Sequence, residues 1–185
     1  MSMEKLMFLT KFLRSPRNIG SVTPSSRFLA KAMVKPVDWD SAKHVAELGA
    51  GTGVFTKHID QLRSPDCKVV VFEQDRSMRK RLEHLYPELY YHHDACDITS
   101  AMKQYGINQF DYILSGLPFT NFPQELRDEI MDEVERALKP GGTFVAFQFS
   151  LQMKKQLAER FGDISLEFVP MNVLPAFVYR CKKTK

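Results

Sequence analysis

Cysteine and tryptophan are scarce in this sequence. There are three cysteines, Cys67, Cys96 and Cys181, and a single tryptophan in 185 residues. Thiols that are odd in number and far apart supply neither a disulfide framework nor the closely spaced ligands of a zinc site, so reduced thiols and a cytoplasmic setting are expected. Long apolar runs are missing as well. No stretch approaches the ~18 uninterrupted apolar residues of a membrane-spanning helix. Glu4, Lys5 and Lys11 break the N-terminal apolar segment where a secretory signal needs continuity. Internal repeats, low-complexity tracts and long linkers are also lacking. What remains is the composition of an ordinary globular protein, 44% hydrophobic and 26% charged, in a length suited to one domain with a short appendage.

Charge is spread unevenly. The net value is +4, but residues 1–35 carry +6 and the last six residues +4, so the middle of the chain is −6. Basic ends on an acidic middle suggest a docking surface for something anionic, such as phosphate, nucleic acid or a lipid headgroup. A solvated basic arm fits the same charges.

Periodicity predicts a helix over 3–14, with Leu6, Phe8, Leu9, Phe12 and Leu13 on one side and Glu4, Thr10, Lys11 and Arg14 on the other. A second helix is expected from Thr23 as N-cap and Pro24 at the first helical position, running to about Met33. After Pro36 short apolar strands alternate with helices. Strands are expected at 44–48, 68–72, 89–92, 110–114 and 143–149. Helices are expected at 53–62, 78–86, after Thr99, at 123–138 with Pro140-Gly141-Gly142 as its stop, and at 151–161 with Ser150 as its cap. Such alternation means βαβ units and a parallel sheet. Two last strands, 165–169 and 176–181, lie too close together for a crossover helix and should pair as an antiparallel hairpin.

The densest motif is Val45-Ala46-Glu47-Leu48-Gly49-Ala50-Gly51-Thr52-Gly53, which follows a strand and opens a helix. Glycines there let the backbone turn tightly and let a ligand approach the main chain. Glu47 starts the loop. Glu73, 24 residues beyond Gly49, ends the next strand, where a carboxylate can accept both ribose hydroxyls of a nucleoside. Asp94 follows the third strand. Each acid alone reads first as a cap or a solvated loop residue, but three at successive strand ends converge on the edge where such sheets bind ligands. His92 and His93 are adjacent, point to opposite faces and suggest no metal site.

The G-x-G-x-G spacing, with a hairpin at the end of the chain, resembles the class I S-adenosylmethionine-dependent methyltransferases over residues 45–182. The resemblance implies an α/β, Rossmann-like, seven-stranded sheet with helices on both faces and an antiparallel C-terminal hairpin, preceded by N-terminal helices. It implies S-adenosyl-L-methionine across the strand ends, with S-adenosyl-L-homocysteine as product. Gly49 and Gly51 would approach the methionine part, Glu73 the ribose and Asp94 the adenine. Glu47, Ala95, Ser115 and Ser21 complete the cofactor set it implies.

After the fourth strand comes Ser115-Gly116-Leu117-Pro118-Phe119-Thr120-Asn121-Phe122-Pro123. Its Leu-Pro-Phe core is similar to the Asn-Leu-Pro-Phe/Tyr motif of ribosomal-RNA adenine dimethyltransferases, although Gly116 cannot supply that family's amide. Gly-Leu-Pro-Phe followed by Phe-Pro, with Gly20 to Ser26 upstream, resembles the bacterial phospholipid N-methyltransferases. These are small enzymes that methylate phosphatidylethanolamine and sit on anionic membrane through a basic amphipathic helix. That resemblance implies a membrane-contacting segment 1–35, with Lys5, Lys11, Arg14 and Arg17 at the surface, ahead of a methyltransferase domain at 36–185. Ser115, Gly116, Leu117, Pro118 and Phe119 would form the substrate loop. Carbonyls of Ser115 and Gly116 would orient the amine, the rings of Phe119, Phe122 or Tyr179 would meet the methylated cation, and Arg17, Arg27 or Lys31 the lipid phosphate. No residue is assigned as a base. The expected protein is peripherally membrane-associated, with an amino-phospholipid as acceptor. An RNA adenine or a soluble amine is the second reading, and a non-catalytic cofactor- or membrane-binding module the third.

Overall fold

The computed structural model describes residues 26–184. The helix expected at 3–14, Lys5, Lys11, Arg14, Arg17, Ser21, Thr23 and Pro24 lie outside the described residues. At the centre are three apolar strands, β1 (His44–Leu48), β2 (Lys68–Phe72) and β4 (Phe110–Ser115), almost wholly buried. With β3 (Tyr90–His92), β5 (Leu138–Gln148), β6 (Gly162–Val169) and β7 (Ala176–Lys183) they make a seven-stranded sheet in the order β3-β2-β1-β4-β5-β7-β6. The first five strands of that order are parallel, and β7 runs antiparallel to both β5 and β6. The strand order reverses between β1 and β4. In open α/β sheets that reversal leaves a crevice at the C-terminal strand ends, where ligands bind.

Helices α1 (Arg27–Val34), α2 (Val54–Leu62), α3 (Arg76–Leu85), α4 (Ile98–Tyr105), α5 (Gln124–Ala137) and α6 (Lys154–Phe161) cover the sheet. Alternation along β5 divides the core in two. Phe144 and Ala146 join one cluster, with residues of α4, α5 and α6. Val145 and Phe147 join the other, with residues of α1, α2 and α3. Among the described residues no helix is long and apolar enough to cross a membrane.

Several boundaries differ from the sequence-based expectation, each for a local reason. Helix α1 begins at Arg27, where Ser26 is the cap and accepts from the Leu29 amide at 3.2 Å. Leu29, Ala30, Met33 and Val34 are buried in the sheet-facing core, so residues 27–34 pack against the sheet. Helix α3 starts at Arg76 because the Asp75 side chain caps it, accepting from Ser77 and Met78. Helix α6 starts at Lys154 rather than 151, and Met153, not Ser150, stands at its cap position. Pro140-Gly141-Gly142 does not lie beyond a helix as a stop. The helix ends at Ala137, and the triplet is an irregularity inside β5: Phe110 pairs with Leu138 but Tyr112 with Thr143, so the extra residues loop out.

Candidate active site

The glycine loop bridges β1 and α2 at the C-terminal edge of the sheet. It is tied to β2 at its base, where the amides of Gly49 and Ala50 both donate to the Phe72 carbonyl, at 2.8 and 3.3 Å. Gly51 has φ +55, and a Cβ placed there would meet nothing within 4 Å. The residue is glycine because its backbone is left-handed, and the space beside it is open to a ligand.

Glu73, just past β2, is 6% exposed. Its two oxygens each take one backbone amide, Gly51 at 2.6 Å and Asp75 at 2.8 Å. A carboxylate offers about four lone-pair sites, so acceptor capacity is left for two ligand hydroxyls. Burial raises its pKa, while the Asp75 and Gly51 amides pull the other way. Asp94 is also 6% exposed and accepts from the Cys96 amide at 2.9 Å, which fixes the turn after β3. Beside it Ala95 is buried. The structure thus brings Glu47, Gly49, Gly51, Glu73, Asp94, Ala95 and Ser115 to one edge of the sheet.

Glu47 is the most unusual member. It is fully buried within β1, and neither carboxylate oxygen has a hydrogen-bond partner. Burial pushes its pKa up to about 8, with the nearby Glu73 charge adding to the effect. The Thr56 hydroxyl and amide are near enough to moderate this rise, though neither forms a hydrogen bond of good geometry. A buried acid without partners is costly, and a cationic group docked beside the glycine loop would relieve that cost. Orphaned acid, open space at Gly51 and spare acceptors on Glu73 together fit the methionine and ribose ends of adenosylmethionine.

The loop after β4 lies against the glycine loop. The Gly116 amide donates to the Leu48 carbonyl at 2.8 Å. A Cβ on Gly116 would sit 2.9 Å from the Gly49 carbonyl oxygen. Contact with backbone on that side explains why no larger residue stands here. Ser115 is buried, and its hydroxyl accepts from the Leu117 amide at 3.2 Å. Phe119 is 1% exposed and makes edge contacts with Phe122 and Phe144, with ring centroids 6.1 and 6.3 Å away. Its ring is packed among these neighbours. Tyr179 is likewise buried, its hydroxyl donating to the Ser150 carbonyl at 3.1 Å. Of the cations expected at a lipid phosphate, Arg27 and Lys31 are exposed on α1.

Gln148 is a site-supporting residue that sequence reasoning missed. It is 3% exposed at the end of β5, donates to the Leu117 carbonyl at 3.0 Å and accepts from the Thr120 amide at 3.5 Å. The only sequence signal was a polar residue directly after the apolar run at 144–147. It clamps the loop after β4 from the neighbouring strand.

The Gly116 packing makes a direct prediction. Gly116→Ala should push the two loops apart, lowering stability by ~1–3 kcal/mol, the usual cost of overpacking. Methyl transfer should fall at least tenfold, because displacements of about an ångström at a reacting centre already cost that much or more. Calorimetry and turnover on the same preparation check it, and wild-type values for both would mean that the loop gives way freely.

Residues 45–142 match the family described as "Methyltransferase domain". The chain belongs to that family. It is an S-adenosylmethionine-dependent methyltransferase. It is 36% identical to the ornithine lipid N-methyltransferase of Singulisphaera acidiphila, over 97% of this chain and 96% of that protein. Solved structures share the fold at low identity. The N-methyltransferase NodS of Bradyrhizobium japonicum, in complex with S-adenosyl-l-homocysteine, superposes with a TM-score of 0.66 at 13% identity, covering 97% of this methyltransferase and 98% of NodS. The precorrin-6y C5,15-methyltransferase of Geobacter metallireducens gives 0.68 at 13%, covering 88% and 92%. At the family level the resemblance read from the glycine loop, the acids and the terminal hairpin is borne out, and so is the cofactor.

Proposed function

We propose that this methyltransferase transfers a methyl group to the amine of a membrane-lipid headgroup, working at the membrane surface from the aqueous side. The observation that carries the reading is the near full-length match to an ornithine lipid N-methyltransferase, which runs well past the cofactor-binding region. The headgroup is a primary amine on a zwitterionic or amino-acid lipid. Phosphatidylethanolamine and ornithine lipid share that chemistry, and the relative's name favours the ornithine headgroup.

When bound, the sulfonium cofactor supplies an already activated methyl, so the protein mainly positions and desolvates. The glycine loop and Glu73, at the ends of β1 and β2, would hold the donor. The backbone around Ser115 and Gly116, held by Leu48 and Gln148, forms the adjoining wall. A lysine-like amine is protonated in water, with a pKa near ~10.4. Partial burial at the strand ends favours its neutral, nucleophilic form, so its proton passes to water on docking.

The test is incubation of the purified protein with methyl-labelled donor and, separately, phosphatidylethanolamine vesicles, ornithine-lipid vesicles or ribosomal RNA. Label is expected in the lipid extract, more of it with the ornithine headgroup. Label in RNA with none in either lipid would replace this reading with the RNA one.

A further inference from the structure

The turn joining β6 to β7 has its polarity reversed. Asn172 is turned inward and buried; its side-chain oxygen accepts from the Ser26 amide at 2.8 Å and its side-chain nitrogen donates to the Leu174 carbonyl at 2.9 Å. Met171 and Val173 on either side point out, 63% and 72% exposed. Turns that face water carry their polar residues outward. Here a hydrogen-bonded turn between Pro170 and Pro175 presents two apolar side chains. Phe168 near the end of β6 is 54% exposed, Leu151 just after β5 47%, and Phe28 in the first turn of α1 38%. Single exposed apolar residues are ordinary, but several converging on one sheet edge point to a partner.

The position of the turn follows from topology. Val169 pairs with Ala176 and Gln148 with Phe177, so the ends of β5 and β6 meet the start of β7. This is the edge where β1, β2 and β4 also end, beside Gly51, Glu73 and the loop after Ser115. Cations stand on the adjoining elements: Arg27 and Lys31 are exposed on α1, Lys154 is exposed at the start of α6, and the Arg27 guanidinium lies 5.1 Å over the Phe28 ring, while the exposed Glu167 next to Phe168 is paired with Lys35 at 3.5 Å. Ser26, whose amide contacts this turn, is preceded in the sequence by residues 1–25, net +3.

We propose that the β6–β7 turn is a membrane-docking element in its own right, Met171 and Val173 entering the interface of an anionic bilayer while the neighbouring cations meet its headgroups. The inference rests on the lipid-acceptor reading and adds an orientation to it: the strand ends that carry the site face the bilayer. Charge argues for lipid over a second copy of the chain. A twofold interface would set this patch against itself and oppose its cations, whereas an anionic surface complements them.

The experiment is flotation of the full chain with phosphatidylcholine vesicles containing about 30% phosphatidylglycerol, which gives a negative surface. Met171→Asp combined with Val173→Asp should weaken vesicle binding about tenfold or more, with cofactor affinity and melting temperature unchanged. Leu62→Asp combined with Leu85→Asp is the control. Both residues are exposed where α2 and α3 end, on the opposite edge of the sheet, and the pair should float like wild type. If wild type and the turn variant float equally, the turn is not a docking element, while the lipid-acceptor reading stands or falls on the label assay. A loss of dimer on gel filtration without loss of flotation overturns the proposal in favour of a second copy. A drop in melting temperature without loss of flotation overturns it in favour of packing against residues 1–25.

Discussion

Replacing Glu47 by glutamine should remove a large part of the pH dependence of this protein's stability between about pH 4.5 and 8. The folded-state pKa is raised from 4.5 to about 8, chiefly by burial. Between those values the folded chain holds a proton that the unfolded chain has released. The contribution of Glu47 to stability is therefore fully present below the unfolded value and is lost as pH rises through the folded one. Every tenfold difference in proton affinity between the folded and unfolded chain corresponds to ~1.4 kcal/mol, so the wild type should lose on the order of 3–5 kcal/mol across the window relative to Glu47→Gln. For a domain of this size that is a difference of roughly 10 °C in melting temperature. Scanning calorimetry of both proteins at pH 5 and pH 9 checks it: the curves should converge at the lower pH and separate at the higher, with the variant the more stable. Parallel pH profiles would mean that Glu47 is not held neutral. The same substitution should weaken binding of a cationic donor beside the glycine loop, because the glutamine cannot become an anion. Wild-type affinity should rise with pH toward about 8, and the variant's should stay flat.

Glu73→Ala should be the most damaging change for cofactor binding. A charged acceptor contributes ~1.5–3 kcal/mol per hydrogen bond, and two ribose hydroxyls are available to it. The loss should reach about a hundredfold in affinity. Glu73 also holds the Gly51 and Asp75 amides, so its removal loosens the glycine loop itself and adds to the loss. Titration calorimetry measures this directly, and the cofactor's stabilisation of the wild type against heat should disappear in the variant at the same concentration. Unchanged affinity would take Glu73 out of the site.

Most of the architecture could be read from local pattern. Strands β1 and β2 fall where their apolar runs stand, because buried parallel strands need continuous hydrophobic stretches. The glycine loop and the acids at 47, 73 and 94 were recognisable because a ligand edge demands them at strand ends. Element starts were less legible. Ser26 caps α1 and Asp75 advances α3, choices made by which side chain reaches which amide. Pro140-Gly141-Gly142 reads as a stop from sequence, yet pairing with β4 draws the segment into the sheet, where a bulge absorbs the extra residues.

The functional loop shows the same division. Sequence alone determined that Ser115 to Phe119 follows a strand at the ligand edge, and that the residues belong with a methyltransferase glycine loop. Only the tertiary structure decided their roles. Phe119 is buried because Phe122 and, on β5, Phe144 meet its ring edge-on. Gly116 is glycine because another backbone passes 2.9 Å from where its Cβ would be. Gln148 matters because β5 lies next to β4, 31 positions away in the chain from the Leu117 carbonyl it holds. The reversed polarity of the β6–β7 turn was likewise invisible in sequence, since Met171, Asn172 and Val173 acquire their directions only when Asn172 bonds to Ser26, 146 positions away. Local pattern specifies which segments are strands, helices and ligand loops. Contacts between segments distant in sequence decide which side chains face the ligand, the core or the surface.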